Sequence, residues 1–259
     1  MSQLPGYGKS TPSRIAQDKQ STGKVILDAL KWILKGVVED EHQRKIIIAG
    51  HDRGARICHR LAVDAQDYTK DFDIIGTILL DIVPTVAQWE SFADSTAAAG
   101  SFHWSFLANV ELATSMISAL GGPAWCSACC ERWVGKSQTG QKSFRANNAV
   151  EIYSDYFANQ EVVKASCEDY RAAAEEDVRL QRRDQAQGKK IDIPTLVLYS
   201  ESYLGSRYNV AEVWKEWVGP RGTLRTEGLG GDVGHLLAEE APEWTAKTIM
   251  NFVNSVVEG

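Results

Sequence analysis

Residues 45–54 read KIIIAGHDRG, and this stretch decides the fold. Its β-branched run is apolar and ends abruptly at glycine, which predicts a short strand followed by a tight turn. The residues from Ala55 to Ala65 then have the composition of a helix. Gly50 and Gly54 flank Asp52 and would let the strand and the helix approach closely around a strained apex. We therefore expect the side chain of Asp52 to project from this apex into a cleft.

A carboxylate at such an apex can act as a nucleophile. Small residues on both sides of the apex are the signature of a nucleophile elbow, where a serine often stands in the position of Asp52. An aspartate there attacks carbon and leaves an ester for water to cleave. The alternative is a glycine-bounded turn in which Asp52 only caps the following helix, since short motifs also occur by chance.

The composition of the chain excludes several classes of protein. Its 259 residues suffice for one large α/β domain or for a core with a small insert. The net charge is −6 and there is no basic stripe, so neither nucleic acid nor an anionic membrane is an expected partner. The amino terminus lacks the apolar core of a signal peptide, and no run reaches membrane-spanning length. We expect a soluble, cytoplasmic protein.

The cysteines of the chain do not form a recognisable framework. They are odd in number and unevenly spread, which does not predict disulfides: Cys58, Cys126, Cys129, Cys130 and Cys167. The cluster at 126–130 could suggest a metal, but no second Cys or His pair has zinc-like spacing. We expect free thiols, with no metal and no organic cofactor.

Two further apolar runs and one short segment predict strands of the same sheet. Residues 73–80 (DIIGTILL) show no alternation, which is typical of a parallel strand covered on both faces. Residues 195–199 (TLVLY) predict another strand, and residues 222–227 a final short one. Asp81 follows the first of these runs, where α/β folds gather their chemistry, although a helix N-cap would use the same residue.

Helical periodicity precedes the elbow and fills the middle of the chain. Ser21 or Thr22 would cap a helix that runs to about Val38. From about residue 86 to 187 the pattern is helix after helix, rich in aromatic residues, a minority of which we expect to face a pocket. Two more helices are predicted over residues 209–218 and 241–257.

This order of elements is the layout of an α/β-hydrolase fold, a mostly parallel sheet flanked by helices, with a helical cap insert. We assign residues 1–85 and 190–259 to the two parts of the core. Residues 86–189 form the predicted cap.

A catalytic triad is predicted at the ends of three strands. Asp52, Asp81 and His235 follow the chain order of nucleophile, acid and histidine on this fold, so their side chains can converge. Glu201, after the strand at 195–199, is the rival acid.

Five stretches of the chain resemble the haloacetate (fluoroacetate) dehalogenases of the α/β-hydrolase superfamily. They are GHDRGARICHRLA from Gly50, LDIVPT from Leu80, FHWSFLA from Phe102, CEDYRAAAEED from Cys167 and GHLLAEEAPE from Gly234. The resemblance implies that Asp52 is the nucleophile, Asp81 the triad acid and His235 the base. It favours Asp81 over Glu201 as the acid.

The resemblance also implies how a substrate is held. Arg53 and Arg56 would bind its carboxylate, since residues three apart on a helix can share one face and present a fork. They would also favour ionised Asp52. The departing halide would be received by His103, Trp104 and Tyr170. The alternatives are a surface arginine at 56 and ordinary packing for His103 and Trp104.

The sequence also departs from the family. The family has strands upstream of LPGYG, with a His-Gly loop whose amide forms half of an oxyanion hole, and this sequence begins after them, so we expect an amino-terminally shortened fold. Only the amide of Arg53 would then remain, at a cost of about 2.7–4 kcal/mol in barrier. A second copy could cover the exposed strand at residues 45–49, which makes a homodimer an expectation. The stretch from 126 to 140 has little likeness to the family.

The expected function is hydrolysis of the carbon–halogen bond of a short 2-haloacid such as haloacetate, with a small anionic substrate and water as the partners. One alternative is an epoxide hydrolase with the same Asp-His-Asp machinery. It would need two cap tyrosines, for which the candidates are Tyr153, Tyr156 and Tyr170. The other alternative is a non-catalytic hydrolase-like protein that acts by binding.

Overall fold

A computed structural model of the chain describes residues 3–12, 16–35 and 44–258. Its core is a four-stranded sheet in the order β1-β2-β3-β4, and every pairing is parallel. The strands are β1 Arg44–His51, β2 Phe72–Leu80, β3 Thr195–Ser200 and β4 Leu224–Leu229. The four strands therefore end at one edge of the sheet, and the predicted parallel α/β fold is confirmed.

Helices occupy most of the remaining chain. Two flank β1: α1 Lys19–Leu34 and α2 Arg53–Val63. Nine follow β2: α3 Thr85–Glu90, α4 Ser95–Gly100, α5 His103–Ala108, α6 Val110–Leu120, α7 Gly122–Trp133, α8 Gln138–Phe144, α9 Ala149–Tyr156, α10 Gln160–Ala172 and α11 Val178–Ala186. The last three are α12 Val210–Lys215, α13 Leu237–Glu240 and α14 Pro242–Glu258. None of these described helices is both long and apolar enough to cross a membrane.

Helices cover both faces of the sheet. Successive side chains of a strand point to opposite faces. Ile46 and Ile48 accordingly pack on the cluster that contains Leu27 of α1, whereas Ile47 packs on the cluster that contains Phe252 of α14. The apolar run of β1 thus contributes to two cores.

The helices between β2 and β3 have a core of their own. It is built from α5, α6 and α10, with Trp104, Ile117, Val163 and Tyr170 among its buried members. This core lies within the predicted cap, residues 86–189. The division of the chain into three segments stays a prediction.

The first helix begins earlier than the sequence predicts. Asp18, and not Ser21 or Thr22, is its N-cap, and the Asp18 carboxylate accepts a hydrogen bond from the amide of Ser21 at 2.9 Å. A carboxylate at this position satisfies a helix amide that has no partner within the helix. The predicted helix end near Val38 lies outside the described residues.

All five cysteines are free thiols, as predicted.

Candidate active site

The predicted elbow lies between β1 and α2. Asp52 is at its apex with φ 44° and ψ −113°, a conformation that residues with a side chain rarely adopt. A Cβ atom at Gly50 would lie 2.4 Å from the carbonyl carbon of Gly54, so only glycine fits at position 50. A Cβ atom at Gly54 would meet nothing within 4 Å in the described chain. The requirement for a small residue therefore applies to Gly50 alone.

His235 lies between the two predicted carboxylates. Its Nδ1 is 2.6 Å from Oδ2 of Asp81, and its Nε2 is 3.8 Å from Oδ2 of Asp52. The other carboxylate oxygen of Asp81 accepts a hydrogen bond from the amide of Ser200 at 2.8 Å. Asp81 is thus fixed at the ends of β2 and β3 and orients the imidazole towards Asp52.

The rival acid is elsewhere. Glu201 has an exposed side chain, and within the described residues the carboxylates that contact His235 are those of Asp52 and Asp81. The backbone around His235 is held by its own amide, which donates to the carbonyl oxygen of Trp133 at 2.9 Å. The geometry therefore favours Asp81 over Glu201.

These contacts shift the pKa values of both partners. Burial alone would raise the pKa of Asp52, but the contact with His235, followed by the charges of Arg53 and Arg56, lowers it well below its usual range. Burial alone would lower the pKa of His235, but its contacts with Asp52 and Asp81 raise it well above the ordinary value. Asp52 and His235 therefore each stabilise the charged form of the other.

Arg53 does not line the cavity next to Asp52. Its Nε donates to a carboxylate oxygen of Asp169 at 2.5 Å, and its Nη2 donates to the Asp169 carbonyl oxygen at 2.9 Å. Lys19 and the hydroxyl of Tyr7 contact the same carboxylate. The charge of Arg53 is thereby compensated inside the protein, and only its Nη1 is left without a partner among the described residues. The predicted role of Arg53 in binding a substrate carboxylate stays a prediction.

Arg56, by contrast, does line the cavity. Its Nη1 donates to the carbonyl oxygen of Val83 at 3.0 Å and to the hydroxyl of Thr85 at 3.2 Å, and its guanidinium carbon lies 4.4 Å from the ring centre of Trp104. Burial, and then the charge of Arg53, lowers the pKa of Arg56 to about 10. Arg56 therefore remains a cation at neutral pH. Because its side chain is buried at the cavity, the alternative of a surface arginine does not hold.

The cavity itself is small, at about 30 Å³. Five predicted side chains besides Asp81 line it: Asp52, Arg56, His103, Trp104 and His235. Six more do so that the sequence did not single out for the site: Gln88, Ser101, Trp133, Tyr203, Leu204 and Arg207. A space of this size holds about two water-sized groups.

The predicted halide pocket is only partly formed at the cavity wall. His103 and Trp104 line the cavity, whereas Tyr170 lies behind them, its ring centre 5.8 Å and 5.4 Å from theirs. Burial lowers the pKa of His103 to about 3, so its imidazole is neutral at ordinary pH and keeps one N–H to donate.

The tyrosines that an epoxide hydrolase would need are not at the cavity. Tyr153 donates its hydroxyl to the carboxylate of Glu239 at 2.9 Å, and Tyr156 is the acceptor of a 3.5 Å contact from Gln3. Of the described tyrosines, Tyr203 lines the cavity. It follows β3 in a turn without periodic pattern, so no sequence signal marks it.

Known proteins are similar to this chain in sequence and in fold. No family model matches the chain. Fluoroacetate dehalogenase from Burkholderia sp is 26% identical over 212 residues, which are 82% of this chain and 64% of that protein. The chain therefore spans less than two thirds of the length of this relative.

Solved structures agree with the fold. A protein from Nostoc sp PCC 7120 that is described as an alpha/beta hydrolase is 31% identical with a TM-score of 0.79, and the match covers 96% of this chain and 79% of that chain. A mutant of a Pseudomonas aeruginosa protein described as an epoxide hydrolase, solved with bound MFA, is 26% identical with a TM-score of 0.80 and coverages of 98% and 79%. The chain belongs to the α/β hydrolases. Within that class it is similar to a dehalogenase and to proteins described as epoxide hydrolases.

Proposed function

We propose that this protein is a hydrolase that cleaves the carbon–halogen bond of a short 2-haloacid, such as a haloacetate, through an ester on Asp52. The observation that carries the proposal is a carboxylate, and not a hydroxyl, at the elbow apex, with His235 Nε2 3.8 Å away and Asp81 behind the imidazole. A carboxylate nucleophile suits displacement at carbon.

In the first step Asp52 attacks the carbon that bears the halogen. A bond forms between a carboxylate oxygen and that carbon, and the halide departs with the electron pair of the broken bond. The lowered pKa of Asp52 keeps the nucleophile ionised. The imidazole N–H of His103 and the indole N–H of Trp104 are available at the cavity wall to stabilise the leaving anion.

In the second step His235 activates water. Formation of the ester removes the negative charge of Asp52, which is one of the main causes of the raised pKa of His235. The pKa of the imidazole therefore falls once the ester exists, and His235 can release its proton and act as a base. Water loses a proton to His235 and attacks the ester carbonyl carbon. The bond between that carbon and the substrate oxygen then breaks, and the departing alkoxide takes the proton from His235, which frees a 2-hydroxyacid and the carboxylate of Asp52.

The tetrahedral intermediate of this step needs a hydrogen-bond donor for its oxyanion. The backbone amide of Arg53 directly follows Asp52 and makes no backbone hydrogen bond within the described chain. It is the donor that the sequence predicts, and it is free to serve.

An epoxide hydrolase is the second candidate, because similar solved structures carry that description and Tyr203 lines the cavity. Against it stand the engagement of Tyr153 with Glu239 and the cationic Arg56 at the cavity wall. A charged wall next to the nucleophile suits an anionic substrate better than a neutral ring.

The test is a single turnover with chloroacetate in ¹⁸O-water, followed by mass spectrometry of the peptide that contains Asp52. We expect release of chloride and one heavy oxygen on Asp52, because water attacks the ester carbonyl. The Asp52→Asn variant should keep the fold, judged by circular dichroism, and lose all release of chloride. Diol formation from styrene oxide without release of chloride from chloroacetate would favour the epoxide hydrolase. If neither substrate gives a product, the alternative that remains is a protein that acts by binding.

A further inference from the structure

Three side chains form a stack from the triad to the protein surface. The ring of Tyr203 lies 5.0 Å from the ring of His235, tilted by 30°, and the guanidinium carbon of Arg207 lies 4.3 Å from the ring centre of Tyr203. All three line the cavity. The amide of Tyr203 donates to the hydroxyl of Ser200 at 3.0 Å, which ties the turn that carries the stack to the end of β3.

Charge compensation within the protein leaves Arg207 available. The cavity is lined by the carboxylates of Asp52 and Asp81, and an anion that enters it meets ionised Asp52. Arg53 is already paired with Asp169. Among the described ion pairs none involves Arg207, and its side chain is exposed. Buried Arg56 and exposed Arg207 are therefore the two arginines of the cavity lining that can face an incoming anion.

We propose that Arg207, held over the ring of Tyr203, is a further cation that binds the carboxylate of the substrate, in addition to Arg56. The inference rests on the proposed function, since it names the residue that makes this site select small carboxylic acids over their neutral analogues. Stacking on an aromatic ring orients a guanidinium and leaves its edge free to donate to a carboxylate. Tyr203 is the platform that joins this contact to His235.

This assignment has a kinetic consequence. The protein carries a net charge of −6, so an anion is repelled on average and gains from a local cation at the entrance. A contact with the carboxylate, which does not react, is made equally before and during the reaction. Loss of Arg207 should therefore raise KM and leave kcat nearly unchanged.

The experiment measures binding without turnover. In the Asp52→Asn background, calorimetry compares chloroacetate with its neutral analogue chloroacetamide, with and without Arg207→Gln. We expect Arg207→Gln to weaken the binding of chloroacetate by about tenfold, as for the loss of one charge-assisted hydrogen bond. The binding of chloroacetamide should weaken by less than about twofold. Arg207→Lys should recover part of the loss, since it keeps the charge but not the fork.

Arg182→Gln is the matched control, because Arg182 is an exposed arginine that does not line the cavity. It should change neither affinity. Equal weakening of both ligands by Arg207→Gln would mean a structural role, and unchanged binding of both would mean none; either result would overturn the inference. Turnover of chloroacetate by the unaltered protein is measured separately, and its absence would overturn the proposed function alone.

Discussion

Asp169 holds three polar partners in a buried site beside the elbow. Its carboxylate contacts the guanidinium of Arg53, the ammonium of Lys19 and the hydroxyl of Tyr7. The charge of Arg53, and then that of Lys19, lowers the pKa of Asp169 although burial alone would raise it. One carboxylate thus joins the amino-terminal segment, the elbow helix and α10.

Asp169→Asn should lower the free energy of unfolding by about 3–5 kcal/mol at pH 7, because buried Arg53 loses its counter-charge and buried Lys19 keeps only that of Asp177. A carboxylate with a lowered pKa in the folded state contributes stability above the pKa of the unfolded chain, about 3.9, and this contribution is lost as pH falls. The difference between the two proteins should therefore shrink below about pH 4. Urea unfolding at pH 7 and pH 3 measures it.

Asp155→Asn serves as the control, since Asp155 is exposed and takes part in none of the described ion pairs. Its effect should stay within about 0.5 kcal/mol at either pH. A difference for Asp169→Asn that is equally small at pH 7 would show that Asp169 does not compensate Arg53.

At the scale of elements, β1 and α2 can approach closely because residue 50 has no Cβ atom. The backbone of Gly54 occupies the space where position 50 would carry a Cβ, whereas position 54 faces open space. The sequence pattern does not distinguish the two glycines, because spacing alone does not reveal which of the two positions has no room for a side chain.

The two glycines make a matched pair of substitutions. Gly50→Ala should cost about 3 kcal/mol of unfolding free energy or more, because β1 and α2 must move apart. Gly54→Ala should be neutral or stabilising by about 0.5–1 kcal/mol, since alanine is the better helix residue. Thermal unfolding of both variants measures this, and equal losses would contradict the geometry.

The elements were the more predictable part of the chain. The β-branched and unalternating runs announced β1, β2 and β3, because buried parallel strands are apolar on both faces. The predicted start of α1 was wrong. Asp18, Ser21 and Thr22 are all good N-cap residues, and only the folded structure decides between them. The helical cap was predicted from a long series of helical patterns without a strand. Its bounds stay a prediction.

At the scale of the whole molecule, β1 is one of the two edge strands of the described sheet, and β4 is the other. Among the residues that the structure describes, no strand pairs with the side of β1 opposite β2. Its isoleucines at 46–48 are half-buried, while most of β2 is fully buried. An edge of this kind is a template for pairing with another strand.

Hydrogen exchange should show this edge directly. In a parallel strand alternate amides point to opposite neighbours, so about half of those in β1 should exchange far faster than the amides of β2, which has a partner on each side. Exchange followed by NMR at several protein concentrations is the measurement. Full protection of β1 would mean that another strand, such as one from a second copy, covers the edge.

The candidate site was predictable where short motifs carry it and unpredictable where distant residues meet. The elbow, Asp81 and His235 follow strands, and the sheet brings strand ends together. Arg53 and Asp169 are separated by 116 positions, and no periodicity announces that pairing. Tyr203 and Arg207 lie in a turn, where no periodic pattern of apolar residues indicates which way a side chain points.

The backbone of Asp52 has a consequence for engineering this protein. Its φ of 44° is one that glycine adopts freely and that costs other residues on the order of 1–3 kcal/mol. Directed evolution that rewards heat resistance alone would favour glycine at this position and so discard the reactive carboxylate. A library screened for robustness therefore needs a chemical readout at every round.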